Sequence, residues 1–229
     1  MKKYEKTGYL HHDFKIFHLT DHEMSTYDFH YHDFHKLLFF LSGNVTYCIE
    51  GKSYQLTPGD LVLVRAGEVH RPVIHDTTPY ERMIIYVSPD FAVASSDKMV
   101  SLNQCFLPDA AMPSNVLHLS GMKERRLLDT MMELVHSFSE DGFANEIYQN
   151  TLFLEFMIHF NRAALSGTLQ YEDSFQANEK ILSVLTYMNE HLTEDITVDS
   201  LAEHFFTSRY YLMHSFKEHT GYTIGNYLS

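Results

Sequence analysis

Two histidines separated by one residue, His30 and His32, are the first candidates for a binding site along the sequence. Successive side chains of a β-strand point to opposite faces, so these two imidazoles would face the same side. Three imidazole nitrogens, with water completing the shell, can bind zinc or a similar ion. Lys36 follows four residues later, and its ammonium group disfavours a dication and favours an anionic ligand. The segment therefore points to a metal site or to a site for an anion.

A second group of polar side chains lies near the C-terminus, on a predicted helix. Ser208 can cap a helix that runs to Gly221, and Thr197 can cap a shorter helix that ends at Phe205. A short helix, a tight turn and a longer helix form the geometry that lets one helix enter the major groove of DNA. The candidate DNA-contacting residues are Ser208, Arg209, Tyr210, Met213, His214 and Lys217.

Composition limits the class of protein that contains these groups. The chain has 229 residues, 30 of them acidic and 17 basic, with a formal net charge of −13 at pH 7. This balance excludes a general polyanion-coating protein or a basic membrane-surface protein, since both need a positive field. Two cysteines, Cys48 and Cys105, are too few for a disulfide framework and are typical of a reducing compartment. The sequence contains neither an export signal nor an apolar run of membrane-spanning length, so we expect a soluble, cytoplasmic protein without a membrane partner.

Three zones of different periodicity must position the candidate residues. Residues 1–110 contain short apolar runs separated by turns, which suggests an all-β sandwich or barrel. Residues 118–166 have helical periodicity on both sides of a short acidic turn, which predicts two antiparallel helices. The second helix of this pair is apolar around much of its circumference, which indicates burial beyond that of a surface helix. We therefore expect a dimer interface on this helix, with packing on the barrel as the alternative. Residues 167–177 form a predicted linker, and residues 178–229 are helical again. The predicted strands are 36–41, 45–49, 54–56, 61–64 and 83–87.

The C-terminal pattern is the more specific of the two. It reads Thr197-Val198-Asp199-Ser200-Leu201-Ala202 and then Ser208-x-x-Tyr211-Leu212-x-x-x-Phe216-Lys217-x-x-x-Gly221-Tyr222-Thr223. This pattern resembles the first helix-turn-helix of the AraC family of transcription regulators. Two departures stand out: the family usually has Arg where this chain has His214, and the chain ends where the family's linker helix to a second helix-turn-helix begins. The resemblance therefore implies a truncated DNA-binding domain, through either a prematurely ended gene or a shortened chain.

The first zone resembles the two cupin motifs, in which a small β-barrel holds a metal with three histidines and a glutamate. His30 and His32 match the first histidine pair and His70 matches the last histidine, while Lys36 stands in place of the glutamate. Sensor domains of the AraC family are similar to cupins, so both resemblances lead to one family. They imply that no cofactor is required, and a divalent metal on His30, His32 and His70 stays an open alternative.

The interpretation we favour for these residues is a small-molecule pocket, because barrel mouths frequently bind ligands through a few polar groups. A further alternative is that the histidines are hydrogen-bonded only within a polar barrel. A change of strand register by one residue would exchange the inward and outward side chains. The candidate ligand-binding residues are His30, His32, Lys36, Tyr47, Arg65, His70 and Tyr86.

These features predict a multi-domain α+β chain with a cupin-like β-barrel, an antiparallel helical pair and an all-α helix-turn-helix. The implied function is a ligand-responsive transcription regulator, a homodimer and not an enzyme, whose partners are a small-molecule effector and, through the intact protein, DNA. The alternatives are a metal-dependent cupin enzyme with a helical appendage and a DNA-incompetent dimer that titrates full-length partners. From Asn178 onwards three basic residues stand against seven acidic ones, so we expect this chain alone to bind DNA weakly and non-specifically.

Overall fold

The computed structural model describes residues 6–23, 25–95, 98–107, 114–119, 125–166, 169, 179–191 and 196–228. Within these ranges ten strands precede six α-helices. The strands are β1 (Phe14–Asp21), β2 (His35–Ser42), β3 (Val45–Ile49), β4 (Lys52–Gln55), β5 (Asp60–Val64), β6 (His70–Ile74), β7 (Tyr80–Val87), β8 (Ala92–Ser95), β9 (Lys98–Ser101) and β10 (Val116–His118). The helices are α1 (Arg125–Ser137), α2 (Asn145–Leu165), α3 (Glu179–Glu190), α4 (Val198–His204), α5 (Arg209–Thr220) and α6 (Ile224–Tyr227).

Two antiparallel sheets form the barrel. The larger has the strand order β1-β7-β2-β5-β10, and the smaller has the order β4-β3-β6. Strands β8 and β9 form a separate hairpin. The backbones of His30 and His70 exchange two hydrogen bonds, 2.9 and 3.2 Å long, so the segment that precedes β2 lies directly beside β6. This pairing brings together residues that are 40 positions apart in the chain.

Strand β2 shows why its apolar run is nearly continuous. Leu37 and Phe39 belong to the core that lies against α1 and α2, whereas Leu38 and Phe40 belong to the core inside the barrel. Both faces of the strand are buried, so both need apolar side chains. Lys36 has the parity of Leu38 and therefore faces the barrel interior, where it is 6% exposed.

Helices α1 and α2 form the predicted antiparallel pair. Arg126 binds Glu155 at one end of the pair, and Asn145 donates to the carbonyl of Ser137 at the other. Their inner faces cover the five-stranded sheet, and Phe143 before α2 and Ile147 within it remain exposed. No helix in the described ranges is long and apolar enough to cross a bilayer.

The C-terminal helices have their own core, which includes Leu201, Leu212 and Phe216. As predicted, Thr197 caps α4 by accepting from the backbone N–H of Ser200, and Ser208 caps α5 in the same way. Gly221 ends α5 with φ of 80°, a left-handed conformation that favours glycine.

The C-terminal helices touch the barrel at two glycines. An added Cβ on Gly221 would lie 2.7 Å from the ring of Phe29, and one on Gly51, in the turn between β3 and β4, would lie 3.2 Å from Leu185. The backbones at these two points are therefore in close contact with side chains of the other part of the chain.

Two domain boundaries in the structure differ from those predicted from the sequence. Strand β10, which begins at Val116, pairs with β5, so the barrel continues past the predicted end at residue 110. The helical pair begins, in the described part of the chain, at Arg125 and not at residue 118, because residues 116–118 are a barrel strand. The predicted linker at residues 167–177 lies outside the described residues, except for Leu169.

Candidate functional site

A cavity of about 1340 Å³ opens from the barrel interior beside β6, β7 and the segment before β2. Five predicted ligand-binding residues are in its wall: His30, His32, Lys36, Tyr47 and Tyr86. The opposite wall comes from the end of α5 and contains His214, Lys217, Glu218 and Gly221. The cavity is thus shared between the barrel and the longer helix of the helix-turn-helix.

Three histidines form a cluster at this cavity. The ring centres of His30, His32 and His70 are 4.5 to 5.1 Å apart. The cluster has two causes. His30 and His32 are two residues apart in an extended segment, so their rings lie on the same side of it. The backbone pairing of His30 with His70 brings in the third ring. One nitrogen from each ring lies within 4.8 Å of the other two. His32 and His70 are buried, with 4% and 0% exposure.

Burial decides the charge of these groups. It lowers the pKa of His32 to about 4 and holds the pKa of His70 well below its usual value, and the nearby Lys36 acts in the same direction. Burial also lowers the pKa of His30. The pKa of Lys36 falls to about 7, first through burial and then through the charge of Arg82. All three imidazoles are therefore neutral at neutral pH, the form that can accept a hydrogen bond or bind a metal.

Buried polar atoms without a hydrogen-bond partner collect around this cavity. Among the described residues there are six such atoms, and only Asn103 Oδ1 is elsewhere. The other five are His32 Nε2, His70 Nε2, the Tyr47 hydroxyl, Arg71 Nε and Arg82 Nε. Buried polar groups in folded proteins nearly always have a partner, so this concentration indicates a site that a bound molecule completes.

Arg65 lies outside the cavity, which corrects its place among the predicted ligand-binding residues. Its guanidinium binds Glu68 at 2.9 Å and donates to the carbonyl of Phe106 at 3.0 Å. The reason is strand parity. Arg65 follows the odd-numbered side chains of β5, such as Leu63, which face the helices, whereas Val64 faces the barrel interior.

Two arginines of the cavity wall, Arg71 and Arg82, were missed by the sequence analysis. Arg82 is 6% exposed and forms an ion pair with Asp21 at 2.8 Å. The guanidinium of Arg71 lies 4.2 Å from the ring centre of Phe29. Arg82 could have been predicted from the sequence, because it lies four residues from Tyr86 on β7 and therefore faces the same side of the sheet. His70 touches the rings of His30 and His32 from behind the wall.

The predicted DNA-contacting residues of α5 fall into two sets. Ser208, Arg209, Tyr210 and Met213 are exposed at its N-terminal half, where Arg209 pairs with Asp199 at 2.9 Å. His214 and Lys217 are also exposed, but they line the cavity. The same helix therefore presents one part of its polar surface to solvent and another part to the barrel.

Comparisons with known proteins agree with this architecture. A family model described as "AraC-like ligand binding domain" matches residues 13–157. A second, described as "Bacterial regulatory helix-turn-helix proteins, AraC family", matches residues 188–229.

Individual relatives are more distant. The HTH-type transcriptional activator RhaS of Shigella sonnei is 26% identical over 205 residues, which cover 87% of this chain and 69% of RhaS. The solved structure of ToxT from Vibrio cholerae is 12% identical with a TM-score of 0.38, and the match covers 94% of this chain and 97% of ToxT. The AraC-like transcriptional activator CuxR is 15% identical with a TM-score of 0.36, over 86% of this chain and 64% of CuxR. Because the ligand-binding-domain model alone matches more than half of the chain, the protein belongs to the AraC family of transcription regulators.

Proposed function

We propose that this AraC-type regulator binds its effector in the cavity between the barrel and α5, and that the bound effector holds α5 away from DNA. One observation carries the proposal. Lys217 and His214 belong both to the cavity wall and to the helix face expected to contact DNA. A side chain that contacts an effector in the cavity is not available to a DNA phosphate.

The coupling follows from linkage. An effector that contacts both walls binds more tightly to the arrangement in which α5 lies on the barrel, so it shifts the population towards that arrangement. DNA that binds Lys217 favours the arrangement in which α5 has left the barrel. Reciprocity then requires each ligand to weaken the binding of the other by the same factor.

The charges of the cavity favour an acidic effector. Its wall contains three side chains that are cationic at neutral pH, Arg71, Arg82 and Lys217, but only two carboxylates, Asp28 and Glu218. Lys36, with a pKa of about 7, adds a positive charge when an anion keeps it protonated. The unpartnered Nε–H groups of Arg71 and Arg82 can donate to carboxylate oxygens, and the Tyr47 hydroxyl can bond to a further polar group. We therefore propose a small organic acid as the effector.

Membership of the AraC family and the surface of the chain support three further proposals. We propose that the protein acts in the cytoplasm, where its DNA target lies, and that it regulates without a catalytic step of its own. The exposed apolar side chains Phe143, Ile147 and Leu165, at and near the ends of α2, support a homodimer with α2 in the interface.

The test is a thermal-shift screen of small carboxylic and hydroxy acids, because a molecule that binds only the folded state raises its melting temperature. A hit is then titrated into a complex of the chain with a fluorescent DNA duplex at low salt, followed by anisotropy. Three variants separate the binding of the acid from the binding of DNA. Tyr47→Phe should weaken only the binding of the acid, and Arg209→Gln should weaken only the binding of DNA. Lys217→Gln should weaken both.

The decisive variant is Lys217→Gln. The proposal is supported if Lys217→Gln loses affinity for both the acid and DNA, and if the acid weakens DNA binding by the wild-type chain. Lys217 would then belong to a face of α5 that contacts both ligands. An acid that binds with unchanged affinity to Lys217→Gln, and that leaves DNA binding unaltered, contradicts it.

A further inference from the structure

The first two turns of α5 present two large apolar side chains to solvent. Tyr210 is 80% exposed and Met213 is 44% exposed. They are three residues apart, so they lie side by side on one face of the helix. His214 and Lys217 continue the same face towards the barrel, where they line the cavity. The half of this face that lies away from the barrel is therefore apolar.

This apolar half is continuous with the DNA interface that the family defines. Helix α5 is the second helix of the helix-turn-helix, and the AraC-family model covers it within residues 188–229. In this motif the N-terminal residues of the second helix contact base edges in the major groove. Ser208 caps the same end of α5, and the N-terminus of a helix suits a phosphate. Tyr210 and Met213 are thus placed to meet bases.

The arginine beside them is already paired. Arg209 donates through one guanidinium nitrogen to both carboxylate oxygens of Asp199, at 2.9 and 3.0 Å. An arginine that reads guanine aims two of its donors at O6 and N7 of the base. The carboxylate of Asp199 competes for these donors, so Arg209 is poorly suited to read guanine. The contacts to base edges are left to Tyr210 and Met213.

Thymine is the base that these two side chains suit. Among the groups that the four base pairs present in the major groove, the C5-methyl of thymine is apolar, and the others are hydrogen-bond donors or acceptors. We propose that Tyr210 and Met213 set the base preference of this helix-turn-helix by packing on thymine methyl groups. The tyrosine ring supplies a rigid apolar surface, and the methionine supplies a flexible one.

The expected preference for thymine is modest. Removal of one buried methyl carbon corresponds to about a fourfold loss of affinity, so two such contacts give about 15-fold. Specific DNA-binding proteins prefer their sites by about 10³-fold or more over other DNA. The proposal therefore agrees with the weak DNA binding that we expect from the acidic charge of residues 178–229.

The test compares DNA duplexes that differ only in methyl groups of the major groove. In one pair of duplexes every thymine is kept or replaced by uracil, and in a second pair every cytosine is kept or replaced by 5-methylcytosine. Neither replacement changes the groups that form base pairs or line the minor groove. Fluorescence anisotropy at low salt measures the affinity of the 229-residue chain for each duplex. Uracil should lower the affinity by about 4- to 15-fold, and 5-methylcytosine should raise it.

Four variants show which side chains carry the preference. Tyr210→Ala and Met213→Ala should each reduce the difference between the thymine and uracil duplexes by about fourfold. Tyr210→Phe keeps the ring and should keep the difference, whereas a role of the hydroxyl group alone would abolish it. Arg209→Gln should weaken binding to all four duplexes equally, as expected for a phosphate contact.

Tyr9→Ala and Met99→Ala are the matched controls, because both residues are exposed and lie outside the helix-turn-helix. Neither change should alter the affinity for any duplex. Circular dichroism checks that each variant is folded.

Three results would overturn the proposal. They are equal affinity of the wild-type chain for the thymine and uracil duplexes, a preference that survives in the folded double variant Tyr210→Ala/Met213→Ala, and absence of binding to every duplex at low salt. No effector is present in this experiment, so its failure is distinct from failure of the proposed function. A chain that ignores the methyl groups but still loses DNA on addition of an acid, through Lys217, refutes thymine reading and leaves the proposed function standing.

Discussion

The two sides of the barrel interior differ most clearly at two tyrosines that face each other on neighbouring strands. Tyr47 on β3 pairs with Tyr54 on β4, and both rings are at most 2% exposed. The Tyr54 hydroxyl accepts from the backbone N–H of Asn115, whereas the Tyr47 hydroxyl, on the cavity, has no partner among the described residues. The side of the barrel interior that contains Tyr54, here called the closed side, has its polar groups paired, which favours stability. The side that contains Tyr47 and borders the cavity keeps unpaired hydrogen-bonding groups, at a cost in stability.

Truncation of an apolar side chain on the closed side should have the largest effect. Leu56, 3% exposed in the barrel core, changed to alanine should lower the free energy of unfolding by about 2–5 kcal/mol, because it leaves a cavity in packed surroundings. Leu19→Ala is the control, since Leu19 is 38% exposed beside the cavity and should cost less than about 1 kcal/mol. Urea unfolding measures both, and equal losses would remove the distinction between the two sides.

The carboxyl of Glu50, in the turn between β3 and β4, should make the free energy of unfolding depend on pH by about 3 kcal/mol, because each unit of pKa shift corresponds to about 1.4 kcal/mol. Burial raises the pKa of its carboxyl from 4.5 to about 7, although Val69 N–H donates to it at 2.7 Å. The folded chain thus holds a proton that the unfolded chain loses, so this group makes the free energy of unfolding fall as pH rises from about 4.5 to 7. Glu50→Gln should abolish that part of the fall in urea unfolding, and Glu23→Gln, at an exposed residue, should not. An unchanged pH profile in Glu50→Gln would contradict the burial of the carboxyl.

The smallest effect comes from the two tyrosines themselves. Tyr54→Phe should destabilise the chain by about 1 kcal/mol, because the backbone of Asn115 loses its partner. Tyr47→Phe should be neutral or slightly stabilising, since it removes an unpartnered hydroxyl. Thermal unfolding of the two variants is the measurement, and a larger loss in Tyr47→Phe would reverse the contrast.

Local chemistry explains what the sequence could predict. The apolar runs of β2, β3, β5 and β7 and the caps at Thr197 and Ser208 were all predicted, because each depends on neighbouring residues. Strand β6 was missed because His-Arg-Pro-Val-Ile is short and interrupted by proline. Strand β10 was missed because it pairs with a strand more than 50 residues earlier.

The candidate site was predicted in part for the same reason. His30, His32 and Lys36 follow from alternation along one segment, and strand parity, had it been applied, would have excluded Arg65 and included Arg82. No local sequence pattern could predict the contact of α5 with the barrel, because Phe29 and Gly221, which form it, are far apart in the sequence. The unpartnered atoms around the cavity likewise depend on the packing of several distant segments.

The most direct test of the account is the DNA affinity of Phe29→Ala. This change removes the ring that contacts Gly221 at the end of α5 and leaves the helix-turn-helix unaltered. Fluorescence anisotropy with a labelled duplex at low salt compares it with the wild-type chain and with Tyr9→Ala, a control at an exposed aromatic residue. Phe29→Ala alone should bind the duplex about fivefold more tightly than the wild-type chain, and this gain should be lost when Lys217→Gln is added. Unchanged or weaker DNA binding by folded Phe29→Ala would contradict the claim that the barrel holds α5 away from DNA.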